Sequence, residues 1–344
     1  MMKLGVFDHM DRGDTPLPQF FDDRMQLVEM YDRAGFYGYH VAEHHATPLG
    51  MAPAPGIWLA AIAARTKRLR FGPLVYLLPL YHPIKLLEEV CMLDQMSHGR
   101  MMLGVGRGIS PIELGYYGLD PEQTPAMYQE ALEVLLRGMT HKELTFEGKY
   151  YTYRDVPMEI QPFQRPTPPL WVGLGRVDAV PWAAERKVNI VSNMQAAGVK
   201  AMTDRYRAEW EALGHDPADI PLMGVGRHVV VAETEKEALE IARRGYARWR
   251  ESLMLLWIRH NVNIPHMNIA FPLTFDDAAA QNRGAAGTPE QVRAYLQRDI
   301  DAGGLNYLLC RFAFGDLTQQ ETTSSIDLFT SRVMADLRPA AGMV

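Results

Sequence analysis

The residues best suited to chemistry in this chain are three in a row, Glu43-His44-His45, a carboxylate followed by two imidazoles. They end an apolar run, Tyr39-His40-Val41-Ala42, that reads as a buried strand after a helical segment closing on Ala34-Gly35. A proline-rich turn over 48–55 follows. In folds that alternate strand and helix, the carboxyl ends of strands are where ligands bind. Side chains alternate along a strand, so Ala42 and His44 are expected on one face, with Val41 and Glu43 on the other. That alternation argues against a metal site, because the three polar residues cannot all face one ion. H-E-x-x-H is absent, as is a His-x-His after the first strand. His44 beside the small Ala42 leaves room for a flat ligand, and an imidazole exchanges protons near neutral pH. The competing reading is a strand-end histidine satisfied by local hydrogen bonds. Glu43 reads as structural, pairing with a neighbouring arginine, and His45 as structural or as a support behind His44.

A second candidate is Gly104-Val105-Gly106-Arg107-Gly108. Glycines at a strand end permit close backbone approach to a flat or phosphorylated ligand, and Arg107 adds a planar donor fork. Val172-Gly173-Leu174-Gly175-Arg176 repeats the pattern before a helix, where backbone N–H groups and an arginine suit a phosphate. Packing glycines and an exposed arginine are the plain alternatives. Nucleophile chemistry has no support: G-x-S-x-G is absent, and Cys91 and Cys310 fall in a helix and a strand, as buried thiols rather than a disulfide.

The elements that carry these residues alternate along the chain. Strands are expected at 3–7, 39–45, 69–78, 101–108, 170–173, 189–192, 223–232 and 307–312, each followed by a helical segment. Residues 144–153 read as a β-hairpin outside the alternation. Thr234 to Glu237 and Thr288 to Gln291 have the spacing of capping boxes that open helices. From 261 to 287 the periodicity breaks down, which suggests a lid-like insertion after the seventh strand. Eight strands and eight helices fit a (β/α)8 TIM-type barrel, read as a single domain over 1–344. A doubly wound sheet lacks its early G-x-G-x-x-G unit. With 47% hydrophobic residues over 344 positions the chain can bury a large core, and a net charge of −6 argues against nucleic acid. No secretory leader and no apolar run of membrane-spanning length appear, so a cytoplasmic protein is expected.

Taken together and in order, Ala42-Glu43-His44-His45, Gly72 through Leu80-Tyr81-His82-Pro83, Leu93 through Arg100, Gly104 to Gly108 and Trp182-Ala183-Ala184-Glu185-Arg186 resemble the bacterial luciferase-like, flavin-dependent monooxygenases. The resemblance covers nearly the whole chain. It implies a β/α barrel that binds FMN at the carboxyl ends of its strands, as a homodimer. By position, His44 matches the active-site histidine of the family and Leu74-Val75 the place of a non-proline cis peptide. Arg107 matches a phosphate-contacting arginine, and Gly175-Arg176 with Ala179 the phosphate loop, which usually carries hydroxyl side chains. Ala42 and Gly106 fall beside the flavin; the position of Gly106 can hold a reactive cysteine in the luciferases, so light emission is not implied.

The mechanism so implied uses reduced FMN from a separate flavin reductase and O2. A flavin C4a-peroxide forms in a dry pocket covered by 261–287, and His44 moves the proton. The substrate is a small organic molecule that the sequence does not specify; Tyr76, Tyr116 and Tyr117 are candidates to line its pocket. Two alternatives stay open: a deazaflavin-dependent oxidoreductase on the same barrel, and a non-catalytic flavin-binding protein.

Overall fold

The computed structural model describes residues 2–340. Its elements in chain order are β1 (Lys3–Asp8), α1 (Leu17–Ala34), β2 (Gly38–Val41), α2 (Pro55–Arg65), β3 (Arg70–Pro73), β4 (Tyr76–Leu77), α3 (Pro83–Met96), β5 (Leu103–Gly106), α4 (Pro111–Tyr116) and α5 (Thr124–Thr140). There follow β6 (Glu143–Glu147), β7 (Thr152–Pro157), β8 (Leu170–Gly173), α6 (Val180–Glu185), β9 (Asn189–Ser192), α7 (Ala196–Ala212), β10 (Met223–Val231) and α8 (Glu235–Arg259). The chain ends with α9 (Ile264–Ala270), α10 (Phe275–Ala280), β11 (Gly284–Gly287), α11 (Pro289–Gly303), β12 (Tyr307–Arg311) and α12 (Gln319–Arg332).

Local chemistry sets many of these boundaries. Gly35 ends α1 in the left-handed conformation (φ 83°), donating its N–H to the free carbonyls of Asp32 and Tyr31. Thr288 and Gln291 form the reciprocal capping box that opens α11, and Thr318 with Glu321 opens α12 in the same way. Thr234 accepts the N–H of Glu237 at the start of α8, but the return bond from Glu237 is not formed there.

The strands make a parallel sheet in the order β3-β2-β1-β12-β10-β9-β8-β5. It is closed into a barrel where Phe71 pairs with Met101: Phe71 N–H meets Arg100 O at 3.0 Å and Met102 N–H meets Phe71 O at 2.8 Å. The stave expected at 69–78 is not continuous. It breaks at a cis peptide between Leu74 and Val75, and β4 resumes the pairing, against β5. Glycines allow the close packing here, since a Cβ on Gly72 would lie 1.9 Å from Met102 O and one on Gly104 would lie 2.0 Å from Pro73 O. The expected hairpin is present as antiparallel β6 and β7.

One segment differs from expectation and another carries an extra short helix. Residues 109–125 hold the short helix α4, because Ser110 accepts the N–H of Glu113 and Pro111 occupies the first turn. Residues 261–287 hold α9, α10 and β11, and β11 joins the sheet by pairing parallel to β10 from His228 to Val231. The segment is thus partly barrel wall.

Below the strand ends the barrel is filled by large side chains. Trp171, Tyr307, Met102 and Leu309 pack together, and buried His40 bonds Tyr307 Oη at 2.9 Å. Burial pushes the His40 pKa down to about 3, so the ring is neutral. Both cysteines are buried and free, as expected. Among the described residues no helix is long and apolar enough to cross a membrane.

Candidate active site

The carboxyl ends of the strands surround a cavity of ≈ 410 Å³. Ala42, His44, Leu74, Val75, Gly106 and Arg107 all lie on its wall. Gly175, Arg176 and Ala179 do not. The Arg176 side chain is 81% exposed and paired with Asp178 at 2.5 Å, outside the cavity.

The β-strand alternation expected through residue 45 stops at Val41, where β2 ends. Ala42, Glu43 and His44 therefore all reach the cavity wall. Glu43 has no arginine partner among the described residues. One of its oxygens accepts the Leu77 N–H at 2.9 Å; the other meets Tyr81 Oη and His45 Nε2, each at 2.9 Å. This buried carboxylate thus ties the backbone after the cis peptide to the loop of His44. His45 continues the network, with Nδ1 2.8 Å from Tyr117 Oη.

His44 is oriented by Glu113 on α4. Its Nδ1 lies 3.2 Å from Glu113 Oε1, and Glu113 Oε2 accepts the backbone N–H of His45 at 2.8 Å. Burial alone would raise the Glu113 pKa, but the hydrogen bond and charge of His44 and the His45 N–H outweigh it and hold the carboxyl below its ordinary value. An ionised carboxylate only accepts, so His44 carries its proton on Nδ1 and turns the Nε2 lone pair away from Glu113. Glu113 was not picked out from sequence, although Ser110-Pro111-Ile112-Glu113 has the same capping signature as Thr288 to Gln291.

The neighbouring stretch of the cavity wall, at the ends of β1 and β12, also holds residues not singled out in the sequence. His9 stacks near His44 with ring centroids 5.9 Å apart, and the Trp249 indole N–H meets His9 Nδ1 at 3.3 Å. Burial, then the charge of Arg311, keeps His9 well below the usual imidazole pKa. Arg311 is itself buried, and burial together with Arg227 pushes its pKa down to about 9, still charged at neutral pH. The rule that selected His44, a polar residue at the carboxyl end of a barrel strand, applies equally to both.

Three tyrosines expected at a substrate pocket are placed elsewhere. Tyr76 is buried against Glu89 at 2.8 Å, Tyr116 bonds His260 at 2.8 Å, and Tyr117 bonds His45. The apolar part of the wall comes instead from Leu253, Leu256 and Trp257 at the end of α8 and from Met267 and Phe271 of the 261–287 segment. Among the described residues there is no cluster of side chains able to hold a metal ion.

The luciferase-like monooxygenase family model matches residues 2–306, and the chain belongs to this family. It is 40% identical to an uncharacterized protein, y4wF, of Sinorhizobium fredii, covering 92% of each chain. It is 26% identical to the oxygenase component of flavin-dependent trigonelline monooxygenase of Acinetobacter baylyi, covering 85% of this chain and 81% of that one. Among solved structures it is similar to monooxygenase RslO1 of Streptomyces bottropensis (TM-score 0.86, 25% identity, 96% and 98% of the two chains). The fold is shared with the oxygenating constituent of 3,6-diketocamphane monooxygenase of Pseudomonas putida in complex with FMN (TM-score 0.80, 22% identity, 98% and 99%). It is shared too with an F420-dependent secondary alcohol dehydrogenase (TM-score 0.75, 19% identity, 98% and 99%).

Proposed function

We propose that this protein is the oxygenase component of a two-component system, using reduced FMN from a separate flavin reductase and O2 to oxidise a small organic molecule. The observation that carries this reading is His44, held on the cavity wall by an ionised Glu113 with Nε2 free of any protein partner among the described residues.

The residues present fit FMN. Ala42, Leu74, Val75 and Gly106 give one side of the cavity a low wall against which a planar ring can lie, and a Cβ on Gly106 would meet Val75 Cγ2 at 2.4 Å. Arg107 is exposed at the rim and has no carboxylate partner among the described residues, so its donor fork is available to the phosphate. Arg176 has Nε and Nη2 engaged by Asp178 and lies off the cavity wall, so Arg107 is the stronger candidate. Bound reduced FMN supplies the electrons that activate O2.

The chain's own residues do the rest. Glu43 fixes the cis-peptide loop that forms the floor for the ring. His44 Nε2 takes or returns a proton at the reacting atoms, and Glu113 stabilises the imidazolium that forms. Leu253, Leu256, Trp257, Met267 and Phe271 exclude water from above. Ile57, Met92 and Met96, 77%, 52% and 56% exposed on α2 and α3, suit a second copy of the chain in a homodimer.

Anaerobic titration of the purified protein with reduced FMN, and separately with reduced F420, tests the cofactor. Saturable binding of reduced FMN with weaker F420 binding is expected. The reverse order would replace this reading with a deazaflavin-dependent oxidoreductase.

A further inference from the structure

We infer that Arg311 and Asn193 form a recognition site for the carboxylate of a small organic acid, the substrate class this cavity takes. The inference rests on the cavity being the oxidation site.

Arg311 is 6% exposed and lies on the cavity wall, yet no carboxylate comes within ion-pair distance among the described residues. Its Nη2 donates to Asn193 Oδ1 at 2.7 Å, while its buried Nε has no partner among the described residues. The Phe7 ring lies 4.8 Å from the guanidinium carbon and supports one face. Gly226 makes room for the group, since a Cβ there would lie 2.8 Å from Nη2.

A buried charge is normally paired, because taking it out of water without a partner is costly. Arg227 follows that rule through Asp299 at 2.7 Å. Arg311 does not; nearby Arg283 is only half-buried, with Nη1 spent on the Ala270 carbonyl and Nε without a partner among the described residues. The carboxylates on the cavity wall, Glu43 and Glu113, are already engaged by Leu77, Tyr81, His44 and His45.

The placement points to substrate rather than flavin. β12, which carries Arg311, stands four staves from β5, which carries Gly106 and leads to Arg107, so the two arginines belong to opposite sides of the barrel. A planar carboxylate matches the guanidinium fork, and the apolar body it carries can lie between Phe7 and Leu309 on one side and Phe271 on the other.

The test is equilibrium binding by calorimetry of acetate, butyrate, benzoate and p-toluenesulfonate, with benzamide as the neutral control, to the protein without flavin. Reduced FMN is titrated in parallel. Asn193→Asp puts a carboxylate on the guanidinium and leaves packing intact; Arg311→Met removes the charge. At least one carboxylate is expected to bind one to one, with about tenfold or greater loss in both variants and little change in FMN affinity. Failure of every carboxylate to bind would overturn the inference, as would binding unchanged in Asn193→Asp. Preference for the sulfonate would overturn the assignment to carboxylates. Loss of FMN affinity with carboxylate binding intact would assign Arg311 to the flavin. Failure of FMN binding in the wild type, with carboxylate binding intact, would overturn the cofactor reading alone.

Discussion

Replacing Glu113 with glutamine should reverse the tautomer of His44. Two donors face the Glu113 carboxylate, the His45 backbone N–H at 2.8 Å and His44 Nδ1 at 3.2 Å. A carboxylate satisfies both; an amide offers one acceptor and one donor group. The backbone N–H cannot turn away, so the amide oxygen stays with His45 and the NH2 turns to His44. The imidazole must then accept at Nδ1 and carry its proton on Nε2, which removes the base from the cavity side. Positioned general acid–base groups contribute about 10²- to 10⁴-fold, so turnover should fall by about that factor. Loss of the charge-assisted bond should lower stability by only about 1–3 kcal/mol. Nitrogen-15 NMR of the histidine side chains, with His44→Asn for assignment, reads the tautomer without any substrate. Wild type should show a protonated Nδ1 near neutral pH and Glu113→Gln a protonated Nε2. The same tautomer in both would refute the orienting role of Glu113.

Further outcomes follow from other parts of the molecule. Burial pushes the Asp11 pKa from 3.8 up to about 7, against the opposing pull of Arg24 and the Gly315 N–H. Because the folded-state value is the higher one, this contribution is full below about pH 4 and is lost as pH rises through about 7, on the order of 4 kcal/mol in total. Asp11→Asn should flatten the fall in thermal midpoint between acid and alkaline buffer, and an unchanged slope would contradict the assignment. Gly104→Ala, which sets a methyl against the Pro73 carbonyl, should cost about 3 kcal/mol or more by denaturant titration, whereas Gly175→Ala, with nothing within 4 Å, should stay within about 0.5 kcal/mol. Equal effects would show that the β3–β5 approach is not what Gly104 serves. Arg107→Ala should weaken reduced-FMN binding by about tenfold to a hundredfold, and Arg176→Ala by less than about threefold. The opposite ranking would move the phosphate to the Gly175–Arg176 loop.

The legible parts of the fold are those written in local chemistry. Gly35 stops α1, Thr288 and Gln291 open α11, and the alternation of apolar runs with helical segments dictates a barrel. His44 and the Leu74–Val75 cis peptide came from a position in the chain and a resemblance, and both lie on the cavity wall. What stayed hidden depends on contacts across the barrel. Nothing adjacent to Arg311 reveals that it lacks a carboxylate, and the partner of Glu43 is a histidine two residues away and a backbone N–H 34 residues on, not an arginine. β11, Gly284 to Gly287, has no alternating apolar pattern to mark it as a strand; its place in the sheet is set by pairing with β10. The glycines at 104 and 106 suit ligand approach by their sequence pattern, but each first makes room for the protein's own chain, at Pro73 and Val75.

On the proposed reading, this cavity binds reduced FMN and controls its reaction with O2 through His44. The most direct test is to mix the anaerobic protein–reduced FMN complex with O2 and follow the return of oxidised-flavin absorbance, in wild type and His44→Ala. A return much slower than that of free reduced FMN is expected in the wild type, with a clear acceleration in the variant. A return at the free-flavin rate in both would contradict it.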